Sequence, residues 1–404
     1  MNTITLNELI FNPTDKDFLY NPYPFYQCLR REDPIHYSPL GFWLVTRHKD
    51  IEDVLRNKFF GKNFGAVLEK QLNTKIADEP ALKMINLQVL MSNPPAHTRL
   101  RKLIMKAFVS SSIKKLQPMI EETANMLIDR VEAEGSMDIM KNYAERLPLM
   151  VICKMLGIDA EADMDFFVSR IPSRLLDLKP VSREELDEIN QDVIELSAYI
   201  KKLCDERRVS PKDDLITHMV HAREDGDILS DDELVANIML TLGAGYETTT
   251  SLISNALLLL FRHKEGLEQI KADPSLTANA IEEALRYEPP VQIAARTALE
   301  DTSIDGQMIT KGETVILVLS SANRDEEVYS NPDIFDIYRE NIRPISFGGG
   351  AHLCLGAQLS RVESAIAINT ILKRLPHLSL DDVEQPNWSL QFTRRILNNL
   401  IAHW

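Results

Sequence analysis

The sequence predicts a mainly α-helical protein with a smaller β part, and three observations carry that reading. Leu186, Ile189, Val193, Leu196, Ile200 and Leu203 step by three and four residues, which is one apolar face of a long amphipathic helix. A second long stretch, opening at Ser230 and running to about Arg262, is apolar nearly all round and so belongs in a core. Glycine numbers only 15 in 404 residues, roughly half the usual ~7%. That suits helices and counts against a glycine-rich barrel or a nucleotide-loop protein.

The elements follow in order. A β-rich part is expected over about residues 1–60, where proline-containing turns flank the short strand Phe42-Trp43-Leu44-Val45. From about residue 95 to 404 the pattern is a helical core. Ser230-Asp231-Asp232-Glu233 is a capping-box signature ahead of an apolar run. Its helix would extend ~48 Å at 1.5 Å per residue. Asp305-Gly306 is a hairpin-turn dipeptide, and Val315 to Leu319 reads as a buried strand. Cys354 precedes a periodic helix from Leu355 to about Leu375, and short irregular strands close the chain. No internal repeat, low-complexity tract or Gly/Ser linker is visible, so residues 1–404 read as a single domain.

Composition excludes several functions. The net charge is −15, which disfavours nucleic acid as a partner and a purely electrostatic membrane anchor. The most apolar stretch, Ala256 to Phe261, is far short of a membrane span, and the first residues lack the pattern of a signal peptide. Cys28, Cys153, Cys204 and Cys354 are scattered without C-x-x-C pairs. That fits a reduced, cytoplasmic chain with no disulfide framework, no cysteine-rich zinc site and no covalent c-type haem. Cys204 reads as a structural thiol beside an apolar stripe, and His218 with His221 as a solvated helix face.

Two places break the local rules. The middle of the second long helix reads Gly243-Ala244-Gly245-Tyr246-Glu247-Thr248-Thr249-Thr250. Glycines weaken a helix and a carboxylate does not belong in a core, so a functional site is expected there. The other is Phe347-Gly348-Gly349-Gly350-Ala351-His352-Leu353-Cys354-Leu355-Gly356. Its glycines make a tight loop with close backbone approach. A cysteine at the following helix N-terminus should have its pKa drawn toward thiolate.

These motifs resemble those of the cytochrome P450 family, in order and spacing and over nearly the whole chain. Phe347 to Gly356 resembles the family's cysteine-ligand loop, Glu283-Ala284-Leu285-Arg286 its E-x-x-R, and Ala244 to Thr248 its oxygen-binding signature. Asn93-Pro94-Pro95-Ala96-His97-Thr98-Arg99-Leu100-Arg101 resembles the segment that clamps haem. The resemblance implies a helical triangular prism with haem b buried between the long helix and the Cys354 loop. It implies Cys354 as the axial iron ligand, and Phe347, Gly348, Gly356 and Ala244 close to haem. His97, Arg101, Arg296 and His352 would bind its propionates; His97 and Arg101, at i and i+4, share one helix face. Thr248 would hydrogen-bond oxygen and Glu247 relay protons to it. Glu283, Arg286 and Arg339 would form a structural triad that holds the cysteine loop. The glycines of the long helix would let it lie close to the haem. Asn93, Ala96, Glu326 and Pro344 depart from the family's usual residues and bear on local stability.

The implied activity is insertion of one oxygen atom of O2 into a small apolar organic substrate, by hydroxylation or epoxidation. Electrons would come from a separate ferredoxin or flavodoxin with its NAD(P)H reductase. A peroxide-driven peroxygenase and a non-enzymatic haem sensor or binder are the alternatives, and neither needs the Glu247-Thr248 pair. A cysteine hydrolase explains none of the other motifs. The resemblance places pocket walls in 64–91 (Leu90 and Met91 among them), near 166–178, at Leu240 and Ala244, at Val291 to Ala294 including Ile293, and around Phe392. Arg99, Lys102 and Lys106 fall opposite His97 and Arg101 on a helix, an expected basic face for an acidic electron carrier.

Overall fold

The computed structural model describes residues 11–105, 110–159, 166–177, 181–223 and 226–404. Helices hold 57% of it and strands 11%, so the mainly α expectation holds. The principal helices are α1 (Ala96–Met105), α2 (Ser110–Asp129), α3 (Arg146–Leu156), α4 (Arg183–Val209), α5 (Asp231–Arg262), α6 (Thr277–Tyr287) and α7 (Ala357–Arg374). The largest sheet joins β1 (Ile35–Ser38), β2 (Phe42–Val45), β3 (Phe60–Gly61), β4 (Ile293–Ala298) and β5 (Thr314–Val318) in the order β1-β2-β5-β4-β3. Only the β2–β5 pair in it is parallel.

The β-rich expectation for the first 60 residues needs correction. Helices Lys16–Tyr20, Tyr23–Glu32 and His48–Arg56 outweigh the strands there. Pro22 and Pro24 are not turn residues; they sit at the start of the second helix, where a missing N–H costs nothing. The expected strand at 315–319 runs instead from Thr314 to Val318, and Leu319 opens a short helix. Asp305 (φ 44°) and Gly306 (φ 84°) make the tight turn between Thr302–Ile304 and Gln307–Ile309.

The two long helices form as their patterns require. α4 buries Leu186, Ile189, Val193, Leu196 and Ile200, with Cys204 buried beside them. α5 opens with a reciprocal cap: Ser230 Oγ accepts from Glu233 N–H and the Glu233 carboxylate accepts from Ser230 N–H. Its first half, from Leu234 to Tyr246, packs in one apolar cluster with α4. Its second half, from Leu252 to Phe261, packs in another with α2, α6 and α7. Glu247 and Thr248 fall between the two cores, so the helix is anchored on both sides of them. Among the described residues, no helix is long and apolar enough to cross a membrane.

The glycines of α5 serve packing. A Cβ on Gly243 would lie 2.8 Å from Ile171, and one on Gly245 3.0 Å from Ile152. They let neighbouring segments close on α5, where the sequence leads to the expectation that they let the helix lie close to haem. Ala244 between them is the exposed residue.

Candidate active site

The Cys354 loop takes its shape from glycine. Gly348 (φ 69°) and Gly350 (φ 61°) are left-handed, and a Cβ on Gly350 would lie 2.1 Å from the Leu55 carbonyl oxygen. Gly348 N–H donates to Ile345 O (2.8 Å) and Cys354 N–H to Phe347 O (3.1 Å), closing the turn. α7 begins at Ala357, two residues later than expected, with Gly356 at its cap. The Cys354 sulfur accepts from the N–H groups of Gly356 and Ala357. Desolvation by the surrounding protein is nonetheless the larger effect and raises the thiol pKa, opposed by those N–H groups, Arg101 and Arg361. The expected drop toward thiolate is therefore corrected: a helix end does not outweigh desolvation by the surrounding protein, even though the residue keeps open surface. Cys354 is still the exposed cysteine, whereas Cys153 and Cys204 are buried.

A buried ion cluster ties this loop to the body. Glu283 and Arg286 on α6 are fully buried and bonded in two parallel contacts of 2.7 Å. Arg339 Nε lies 3.1 Å from the same carboxylate. The two guanidiniums also donate to the carbonyls of Asn323, Ser330, Asn331, Pro332 and Ile334. Ser346, next to the loop, donates to Leu285 O at 2.6 Å. The Phe347 ring is stacked by Arg361 at 4.5 Å, and Arg361 pairs with Glu282. Thr249 of α5 donates to Ser360 of α7 (3.2 Å), bringing the middle of α5 against the helix that follows Cys354.

Above the loop, basic groups converge. The rings of His97 and His352 are 4.2 Å apart, and Arg101 donates to Leu353 O at 2.6 Å. His97 is buried and neither ring nitrogen has a partner among the described residues. Burial, then Lys62, His97, Arg296 and Arg101, pushes the His352 pKa down to about 3. Burial pulls Arg296 down to about 10, and burial with Arg296 pulls Lys62 down to about 7. No acid appears among the groups acting on Lys62, His97, Arg296 or His352. Such a gathering of desolvated basic groups, their charged forms disfavoured until an opposite charge arrives, suits an anion.

Lys62 was not visible from sequence. β3 pairs with β4 through Phe60–Ala298 and Gly61–Thr297, so the next position sets Lys62 opposite Arg296. Its Nζ donates to Ala295 O at 3.2 Å. Asn93, a departure from the family pattern, bonds the N–H and the carbonyl of Lys62, both at 2.7 Å, and holds its backbone. Glu326, another departure, pairs with Arg30 (3.1 Å) and Arg31 (2.7 Å).

At the middle of α5, Thr248 Oγ1 donates to Ala244 O at 2.9 Å, the back-bonding that satisfies a helical hydroxyl. Glu247 pairs with Arg394 at 2.7 Å, a partner the sequence did not suggest. Leu90, Met91, Leu240, Ala244 and Val291 all keep open surface. Ile293 and Phe392 do not share it; they pack with Phe11, Tyr26 and other residues of the N-terminal core. Arg99 leaves the expected basic face, since it pairs with Asp227 and Glu233. Lys106, like Leu178, lies outside the described residues.

The comparisons decide the family. The cytochrome P450 family model matches residues 44–401. The chain belongs to the cytochrome P450 family. It is 37% identical to putative cytochrome P450 133B1 of Xylella fastidiosa, over 95% of this chain and 96% of that one. It is likewise 37% identical to the polyketide biosynthesis cytochrome P450 PksS of Bacillus subtilis, over 94% and 95%. The crystal structure of P450BioI, in complex with an acyl carrier protein ligated to hexadec-9Z-enoic acid, superimposes with a TM-score of 0.89. That match is 35% identical and covers 96% of this chain and 99% of that one. This P450 is a haem-thiolate monooxygenase that uses O2 and a redox partner, and its cofactor is haem b with a cysteine ligand.

The residues present fit that cofactor. Haem carries two propionates, and the cluster of Lys62, His97, Arg101, Arg296 and His352 offers basic groups and the unpartnered His97 ring nitrogens that would meet them. The exposed Cys354 thiol lies beside that cluster, its loop held to Arg101 through Leu353.

Proposed function

We propose that Cys354 is the axial ligand of this monooxygenase and that Glu247 and Thr248 deliver protons for its oxygen chemistry. The observation that carries this reading is the cationic cradle without an acid, bonded to the Cys354 loop. Lys62, His97, Arg101, Arg296 and His352 hold the propionates, with Phe347, Gly348 and Gly356 shaping the loop and Ala244 facing the cofactor from α5. When bound, haem supplies a thiolate-ligated iron that favours O–O cleavage. The rest is done by the chain. Glu283, Arg286 and Arg339 fix the stretch from Asn323 to Arg339 that leads into the loop. Thr248 Oγ1, turned away from Ala244 O, offers its proton on the side of α5 where Ala244 is exposed, and the Glu247 carboxyl replaces it. An acid next to an alcohol favours O2-driven turnover over a peroxide-driven or sensory role.

The chain works as one domain with a small apolar substrate. Leu90, Met91, Leu240, Ala244 and Val291 supply an apolar wall, with Ile293 and Phe392 supporting it from the core. The relatives' names, one from polyketide biosynthesis and one holding a carrier-bound fatty acyl chain, support a long or polyketide-like carbon skeleton and a place in secondary metabolism. Electrons come from a ferredoxin or flavodoxin with its NAD(P)H reductase. Four cysteines scattered without C-x-x-C pairs suit the cytoplasm.

The test is Cys354→Ser. The wild type, reduced and given CO, should absorb near ~450 nm, as thiolate ligation requires. Cys354→Ser should lose that band. A variant that kept it would assign the ligand to another cysteine.

A further inference from the structure

Arg394 joins two acids across the molecule. Its Nη1 donates to Glu247 Oε2 at 2.7 Å, and its Nη2 to Asp177 Oδ1 at 2.5 Å. The three residues come from α5, from the C-terminal stretch after Trp388–Ser389, and from the end of the short helix Pro172–Leu176. That last segment rests on α5, since Ile171 occupies the space a Gly243 side chain would need.

The neighbouring Arg395 shows what a structural arginine does here. It donates to the carbonyls of Leu19 (2.9 Å) and Tyr20 (2.8 Å) and to Glu288 (3.0 Å), so it staples backbone. Among the described residues, Arg394 bonds only the two carboxylates, and its buried Nε has no partner. Its base is fixed: Arg394 bridges Val291, and Arg395 N–H donates to Pro290 O at 2.8 Å. A guanidinium with a fixed base and two acids for its head is placed to act on those acids.

We infer that Arg394 is a positioning residue for proton delivery: it holds the Glu247 carboxylate, and its bond to Asp177 lets it release that carboxylate toward Thr248. This rests on the reading of Glu247 and Thr248 given above. A charge-assisted bond of this length fixes the carboxylate's orientation. Breaking it would normally leave a poorly solvated cation unpaired, which is costly. Asp177 removes that cost, because the guanidinium stays paired while Glu247 turns. Arg394 itself donates no proton to the reaction; it acts through Glu247.

The experiment uses the haem-loaded enzyme with NAD(P)H, a ferredoxin and its reductase under air. It is run with hexadec-9Z-enoic acid as the probe and again without one. Peroxide released per NAD(P)H is read in both, and the CO-bound spectrum checks the haem site. Arg394→Met should raise peroxide yield about three-fold or more, within the range of couplings between contacting charged groups. Arg394→Lys, which keeps the charge, should recover most of the wild-type yield. In the double variant Glu247→Gln with Arg394→Met, the yield should match Glu247→Gln alone, which a merely structural arginine would not produce. Multiplicative effects in the double variant would overturn the proposal, as would an Arg394→Met yield equal to wild type. If Glu247→Gln itself leaves the yield unchanged, the relay reading fails and takes this inference with it.

Discussion

Lys62→Met should loosen the cofactor without touching the cysteine. Lys62 reaches the cradle from the end of β3, its backbone clamped by Asn93 and its ammonium facing Arg296. A hydrogen bond to a charged group contributes ~1.5–3 kcal/mol. In the proposed cradle Lys62 would share the propionates with four other groups, and it repels Arg296, so the low end applies. At 1.4 kcal/mol per factor of ten, haem should leave about ten-fold faster. The assay is haem transfer to excess apomyoglobin, followed in the Soret band, with the exposed Lys102→Met as a control.

The pH dependence has a definite sign. Burial, with Arg296 beside it, pulls the pKa of the Lys62 ammonium down to about 7. Bound propionates favour the charged form and raise that pKa. Between about pH 7 and the raised value, haem binding takes up a proton, so haem is held less tightly as pH rises through that window. Haem loss from the wild type should accelerate above pH 7, and Lys62→Met should lack that component. Equal loss rates in the two proteins, with equal pH slopes, would refute the placing of Lys62 in the cradle.

Three further outcomes follow from the geometry. Glu283→Gln leaves two guanidiniums facing a neutral amide in a fully buried site; it should cost ~3–5 kcal/mol in chemical denaturation and lower haem content on purification. Gly350→Ala combines a left-handed backbone with a clash against Leu55 O, so its Soret-to-280 nm ratio should collapse. Gly41→Ala, equally left-handed but with open space around it, should cost only the ~1–3 kcal/mol of backbone strain and keep its haem. Thr248→Ala should keep the CO-bound band near ~450 nm while diverting NAD(P)H electrons to peroxide; an unchanged peroxide yield would remove Thr248 from the relay.

What could be read in the sequence was what depends on neighbours in the chain. The cap at Ser230, the apolar face of α4 and the Asp305-Gly306 turn each need only residues within a few positions of one another, and all three formed as read. The Glu283–Arg286 contact has the same local origin. Arg339 joins the pair from 53 residues beyond Arg286, yet the family's motif order was enough to name it. The prolines at 22 and 24 misled because a helix start and a turn accept proline for the same reason, an N–H that is not needed.

The residues that escaped notice act through distant pairing. Lys62 becomes a cradle residue only because β3 lies against β4, more than two hundred positions later, in the register that faces it with Arg296. Arg99 looked like a free surface cation from its helix angle, but the start of α5 brings Glu233 to it and the turn before that helix brings Asp227. Gly243 and Gly245 read as letting the helix lie close to haem, and the partners they admit, Ile171 and Ile152, come from elsewhere in the chain. In that one place the two kinds of signal meet. The close fit of Ile171 on Gly243 seats the segment ending at Asp177, and Asp177 reaches Arg394, which holds Glu247. A glycine that reads as a local defect in α5 thus sets the distance at which a remote loop can act on the acid one turn further along the same helix.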